Sequence, residues 1–466
     1  MIHKSLAIAS IALAGVITPM HAQAPSALVN NQQLKSALAT IQRDNAWTLD
    51  QQVSICEIPA PPFKEAVRAA EFKRRLEALG LKNVRIDSEG NVIAERPGSG
   101  NGPTVMISGH LDTVFPEGTD VKVKREGDRY KAPGIADDCR GLAVVLAVAR
   151  AYQQSQVNTT GKVYFVGTVG EEGPGNLRGV RHLFTKEFPK GSIDYFISVD
   201  GTGYGTTSGA VGSNRYKVSY LGPGGHSYGA FGMPNPIHAL GRAMAKIADI
   251  KVPDRPRTTF NVGVISGGTS VNSISAEGIM EIDMRSPSLD ELGKVDAQVR
   301  TALKSALEEE NARWPRSTVK LTMKIDTIGI RPAGTQPDSA PIVQAALQSA
   351  RALGITTSTG SSSTDANFPM SLGIPAITID GGGESRGSHS LDEWYEDGPE
   401  GWKGPQWAAL VVAALAGLRY SPTAVGTPTG ESLKLMIGRT SIAPCRAEGI
   451  LAATRIASSM SPASTT

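Results

Sequence analysis

The 466-residue chain lacks most of the features that would direct its function elsewhere. It has three cysteines, Cys56, Cys139 and Cys445, too few for a disulfide framework. One bridge fits that number, and spacing does not say which pair would form it. The net charge is only +3, and +2 without the first 24 residues, whose one charged side chain is Lys4. No clustered basic stripe accompanies it, which excludes a nucleic-acid partner. Long hydrophobic runs are missing too. Residues 5–17 are apolar but fall well short of the roughly 20 residues that a spanning helix needs. Residues 408–416 are Ala-rich and read as a packed helix, so no membrane segment is expected once the N-terminus is removed. Histidine is scarce: beyond residue 24 there are only His110, His182, His226, His238 and His389.

What is present begins with an export signature. Lys4, the apolar run and the small-x-small triplet Ala22-Gln23-Ala24 make residues 1–24 a signal peptide. The mature chain is expected to begin near Pro25 and to work in the periplasm or outside the cell. From there helical patterns over 31–56 and 65–79 precede two short strands within 83–95. Three buried strands follow, over 104–108, 163–169 and 195–199, with an apolar helix over 142–152 between the first two. Alternating helices and buried strands predict an α/β fold with a mostly parallel sheet flanked by helices. Between 212 and 331 the order becomes β-α-β-β-α-β, the split ferredoxin-like arrangement of an inserted α+β domain. A helix over 340–353, a strand over 376–379 and a helix near 406–417 return to the first pattern. The expected organisation is therefore a main domain over 25–211 and 332–421, an insertion over 212–331, and a tail over 422–466. Residues 456–466 of that tail are expected to be disordered.

Carboxylates and histidines gather at one edge of this sheet. His110-Leu111-Asp112 follows the first buried strand, Glu171-Glu172 the second, and Asp200 the third. In an α/β sheet ligands collect beyond the carboxyl ends of the strands. Gly134-Ile135-Ala136-Asp137-Asp138 runs from a Gly/Pro-rich loop into the 142–152 helix, and two adjacent Asp are one more than a helix cap needs. His389 lies in another Gly-rich loop. Imidazole nitrogen and carboxylate oxygen are zinc ligands, and two-metal hydrolytic sites need a bridging carboxylate between dications. Asp112, two residues beyond His110, leaves an extended chain on the same face and can hold the second imidazole nitrogen. Adjacent glutamates repel, unless one ligates metal while the other serves as general base. His182 and His238 fall inside predicted helices and read as structural. Cys139 reads as a small buried helix residue.

Together, His-x-Asp, Gly-x-x-Asp-Asp, Glu-Glu, a later Asp, Gly224-Gly225-His226-Ser227 and Ser388-His389-Ser390 resemble the M20 family of di-zinc metallopeptidases, across about residues 45–420. That family contains carboxypeptidase-, tripeptide aminopeptidase- and acylamino acid deacylase-like members. The resemblance implies two Zn2+ ions, with Co2+ or Mn2+ as substitutes that a carboxylate-rich site tolerates. Asp137 would be the bridge, His110 and Asp200 would complete one site, and Glu172 and His389 the other. Glu171 would be the general base, and Asp112 would orient His110. The insertion would be a lid that also makes a homodimer contact, with His226 steadying the oxyanion. Asn272 and Arg285 would hold the substrate's carboxylate or backbone, and the loop Ser361-Ser362-Ser363-Thr364-Asp365 would also contact it. Cys139 stands where many relatives carry Lys, and the tail has no counterpart. The implied activity is exopeptidase hydrolysis of short peptides, with deacylation of N-acyl amino acids as the rival on the same site. An inactive binding protein would have lost a ligand or the base, and none is lost here.

Overall fold

Short runs of β-branched and aromatic residues bounded by Pro and Gly form the central strands Val105–His110, Val163–Thr168, Tyr195–Val199 and Ala376–Ile379. In the computed structural model, which describes residues 23–419, these four are parallel neighbours. They are buried on both faces, as parallel strands covered by helices must be. Val105 and Ile107 face the larger core with helices Cys139–Gln154 and Lys403–Ala416, while Met106 faces a smaller one with Leu183 and Phe196. That division follows the two-residue period of a strand. Each fully buried Leu or Val of the Cys139–Gln154 helix contributes about 1.5–3 kcal/mol relative to exposure.

The α/β sheet flanked by helices is as expected, with a parallel centre; both flanks are antiparallel, so the nine-stranded sheet as a whole is mixed. On one side stands the hairpin Lys82–Ile86 and Val92–Arg96. On the other stands Thr206–Ala210, antiparallel to Ala376–Ile379 and to Gly334–Thr335, with Thr359–Ser362 joining it in parallel. The cause is connection length. Residues 201–205 form a Gly-rich turn, far too short for the crossover that a parallel pairing requires.

Residues 212–331 build a second sheet, with strands ordered Thr259–Gly267, Glu277–Ser286, Gly212–Leu221, Thr322–Arg331, all antiparallel. Helices Pro236–Ala248 and Leu289–Arg313 pack on it around Tyr216, Val218, Tyr220, Leu240, Val299 and Leu303. This is the ferredoxin-like order read from the pattern. His182 and His238 lie in helices. Among the described residues no helix is long and apolar enough to cross a membrane. Of the expected signal peptide over 1–24, residues 1–22 lie outside the described residues, as do the tail over 422–466 and Cys445.

Candidate metal centre and active site

The site is built where the Cys139–Gln154 helix begins against the strand ends. Two glycines permit the approach. A Cβ on Gly109 would lie 2.8 Å from the Leu142 nitrogen, and one on Gly141 would lie 2.1 Å from the Val199 oxygen. The helix start therefore sits directly between His110 and Asp200. Asp138 locks it there: its carboxylate accepts the Gly141 N–H at 2.9 Å, as a helix cap does, and the His110 N–H at 2.8 Å. The adjacent Asp pair is thus divided. Asp138 is spent on the backbone, and Asp137, joined to it by a cis peptide bond, is left for the site.

Asp137 lies between two imidazoles. His110 Nε2 is 3.0 Å from its Oδ1, and His389 Nε2 is 3.1 Å from its Oδ2 and 3.0 Å from Glu172 Oε1. One oxygen from Asp137, one from Glu172 and a nitrogen of His110 all lie within 4.8 Å of one another. The structure therefore brings together His110, Asp137, Glu172 and His389 from four separate segments. Asp200 follows its strand at the same edge, and its carboxyl feels the charges of Asp137 and Glu172.

Asp112 differs from the expectation. Its carboxylate stands 3.6 Å from His110 Nδ1, which instead meets the Asp112 backbone oxygen at 3.0 Å. The Asp112 carboxylate turns the other way and accepts the N–H groups of Glu171 and Glu172 at 3.0 and 2.9 Å. It fixes both the imidazole and the glutamate pair, the first through its main chain. Glu171 is paired with Arg331, whose guanidinium lies 3.0 Å from Glu171 Oε1 and 3.0 Å from Ser363 Oγ, and also donates to the Glu171 carbonyl.

The electrostatics describe a site short of positive charge. Burial alone would strip the proton from His110, but the nearby carboxylates of Asp112, Asp137 and Asp138 outweigh it and hold the imidazole well above its usual range. Hydrogen bonds to Asp137 and Glu172 raise His389 to about 10. Burial, then the neighbouring Asp137 charge, pushes Asp200 up to about 7. Burial pushes Glu171 well above the carboxylate range, with the Arg331 charge opposing it. Protons are being held where the donor set calls for cations, and two imidazoles with three carboxylates are ligands that zinc and similar divalent ions accept. The residues fit such a metal.

Three further residues carry the site without having shown a sequence signal of their own. Glu393 is fully buried and accepts the N–H groups of Gly134, Ala136 and Asp137 at 2.8, 2.9 and 3.1 Å, cradling the loop that presents Asp137. Arg331 ends the last strand of the insertion. Asp365, in the loop already noted, accepts the Thr168 hydroxyl at 2.5 Å, and its other oxygen is buried without a partner.

The residues of the insertion lie apart from this cluster. His226 and Asn272 are brought together by the ladder Gly225–His226 with Ser273–Ile274, where the Ser227 N–H meets the Asn272 oxygen at 2.9 Å. His226 is exposed and accepts the Tyr228 and Gly229 N–H groups, both at 3.3 Å. Arg285 bonds Asp283 at 2.6 Å. Among the described residues none of the three bonds to the cluster around Asp137.

With this geometry in hand, the comparisons are specific. The profile of peptidase family M20/M25/M40 matches residues 106–404, which hold every residue of the cluster. Succinyl-diaminopimelate desuccinylase of Leptothrix cholodnii is 26% identical over 352 residues, 71% of this chain and 87% of that one. The aminopeptidase PepT of Bacillus cereus superposes with a TM-score of 0.64 at 21% identity, covering 79% of this chain and 98% of that one. YXEP of Bacillus subtilis, described as a dinuclear metal-binding peptidase, superposes at 0.59 with 18% identity, covering 81% and 99%. The chain is a metal-dependent hydrolase and belongs to peptidase family M20/M25/M40.

Proposed function

We propose that the protein is an exopeptidase that hydrolyses the terminal amide bond of short peptides at a pair of zinc ions. The observation that carries this reading is Asp137, whose two oxygens face two different imidazoles at 3.0 and 3.1 Å. A carboxylate so placed can bridge two cations. His110 and Asp200 would serve one, Glu172 and His389 the other. When bound, the ions supply Lewis-acid polarisation of the substrate carbonyl and a nucleophile at neutral pH. Glu171 takes the proton of the attacking water and returns it to the leaving amine, so each proton removed is delivered within one cycle. Arg331 opposes the protonation of Glu171 and aims its carboxylate, and Asp112 fixes the backbone of the glutamate pair.

The insertion acts as a lid and as the homodimer contact, His226 steadies the developing oxyanion, and Asn272 and Arg285 hold the substrate's carboxylate or backbone. The protein works after export, in the periplasm or outside the cell. The similarity to a desuccinylase over most of both chains favours a second reading, deacylation of N-acyl amino acids at the same centre.

The test is a mass-spectrometric product profile. A mixed pool of tripeptides, dipeptides and N-acyl amino acids is treated with zinc-loaded protein and with Glu171→Gln. Peptide products absent from the variant support the peptidase, and the residue released names the end attacked. Products from acyl amino acids alone would move the protein to the deacylases. Equal turnover by Glu171→Gln would refute the role given to Glu171.

A further inference from the structure

A second cluster of metal-ligand side chains lies away from Asp137, on the hairpin at the edge of the main sheet. Asp87 occupies the turn between Lys82–Ile86 and Val92–Arg96, and its side chain is wholly buried. Its Oδ1 accepts the N–H groups of Glu89, Gly90 and Asn91, each at 2.9 Å, and its Oδ2 accepts Asn91 Nδ2 at 2.7 Å. A carboxylate offers about four lone-pair sites, two on each oxygen, so Oδ2, with one donor, has room for a second partner. Facing it is the segment Arg178–Glu187. His182 Nε2 lies 4.0 Å from Asp87 Oδ2 and 3.7 Å from Glu187 Oε1. These three groups offer ligand atoms that all lie within 4.8 Å of one another.

The backbone supplies the second observation. Helix Arg178–His182 runs straight into a wider π-helical turn, Leu183–Glu187, closed by the Phe188 N–H on the Leu183 oxygen at 2.9 Å. In an α-helix two residues five apart point about 140° from each other. In a π turn the hydrogen bond spans five residues instead of four, which turns residues five apart toward a common face. The widened turn is what sets Glu187 beside His182. Glu187 is also held from behind, because Arg85 Nη2 bonds its other oxygen at 2.9 Å and leaves Oε1 directed at the imidazole. The imidazole has one competing contact, Ser88 Oγ at 3.2 Å from Nε2.

We propose that His182 Nε2, Asp87 Oδ2 and Glu187 Oε1 form a separate binding site for a divalent transition-metal ion of the zinc class. One nitrogen and two carboxylate oxygens, with a fourth position open to water, suit zinc, whose bonds to such atoms are about 2.0–2.2 Å. Tetrahedral bonds of that length place ligand atoms roughly 3.3–3.6 Å apart. The observed 3.7 and 4.0 Å need to close by only a few tenths of an ångström. The ion would clip the edge hairpin to the segment that follows Glu171 and Glu172, a structural role separate from hydrolysis. The alternative occupant of the same geometry is a proton, making an imidazolium between Asp87, Glu187 and Glu89, whose Oε2 is 4.0 Å from Nδ1.

The experiment counts zinc on the full chain after equilibrium dialysis, in wild type, His182→Ala and Glu187→Gln. The expected result is one equivalent fewer in each variant, with turnover of the test peptide unchanged. Zinc content equal to wild type in both variants overturns the site. Because a variant can misfold, the wild-type protein provides a second readout. Carbethoxylation of His182, followed by peptide mass spectrometry, should slow when zinc is added and should remain fast in Asp87→Asn. Modification of wild-type His182 at a rate indifferent to zinc gives the site to the proton and refutes the proposal. Neither readout depends on what the Asp137 centre hydrolyses.

Discussion

Replacing Arg331 by methionine removes the guanidinium beside Glu171 while keeping most of the side-chain volume. Arg331 and Glu171 are both buried, and their contact is a charge-assisted hydrogen bond of 3.0 Å. Such bonds contribute about 1.5–3 kcal/mol. At 1.36 kcal/mol per pH unit, losing one raises the Glu171 pKa by about 1–2 units. Burial already pushes that carboxyl up, and the Arg331 charge works against it, so the sign is fixed. The acid limb of kcat/KM should therefore move to higher pH by about 1–2 units in Arg331→Met, and by less in Arg331→Lys. Lysine restores the charge but not the fork that also reaches Ser363 and the Glu171 carbonyl. The assay is a pH–rate profile of amine release by metal-loaded protein, with metal content measured at each pH. Stability adds an independent check. A carboxyl whose folded pKa is raised costs stability as pH rises above its unfolded value, so the thermal stability lost by Arg331→Met should grow as pH rises above the ordinary Glu value of about 4.3. An unmoved acid limb, at full metal content, would refute the positioning role of Arg331.

Three further predictions follow from the same contacts. Glu171→Gln should retain metal while turnover falls by about 10²–10⁴, measured by metal analysis and steady-state kinetics together. Glu393→Gln replaces a carboxylate that accepts three backbone N–H groups under Asp137, and should weaken metal binding by about 10–100-fold in chelator competition. Asp380, which burial pushes up to about 7 while the Gly205 N–H opposes it, holds its proton in the fold at a pH where the unfolded chain has lost it. Stability should therefore fall between about pH 4 and 7, by at most about 1.4 kcal/mol per pH unit from this group, and Asp380→Asn should flatten that slope in denaturant titrations.

Much of this molecule was legible because its central strands are short, apolar and bounded. Tyr195–Val199 and Ala376–Ile379 were delimited to the residue, and the whole β-α-β-β-α-β order of the insertion came from pattern alone. Thr206–Ala210, Gly334–Thr335 and Thr359–Ser362 were not seen, because Thr, Ser and Gly give neither alternation nor an apolar run. Their pairing is imposed by the neighbouring strand. The same limit applies to the site. His110, Asp137, Glu172 and Asp200 stand at strand ends or a helix start, where topology makes them neighbours. Arg331 meets Glu171 across 160 positions, and no local period relates them. Asp112 lies beside His110, but its backbone oxygen, and not its carboxylate, meets the imidazole.

The partners of the buried carboxylates separate scaffold from ligand without any appeal to motif. Asp112, Asp138 and Glu393 are satisfied by backbone N–H groups, which are fixed in the fold and can be exchanged for nothing. Glu171 is satisfied by a guanidinium, a cation that never gives up its charge. Asp137 and Glu172 are satisfied by imidazoles alone, and among the described residues no protein donor hydrogen-bonds the Asp200 carboxylate. A buried charge without a fixed partner is costly. Imidazole is the one partner here that can trade its proton for a metal bond and so release the carboxylate to bind the same ion. That reasoning supports the proposed division, with Asp137, Glu172 and Asp200 as the oxygens open to a dication, His110 and His389 as the nitrogens, and Glu171, tied to Arg331, as the group that moves protons.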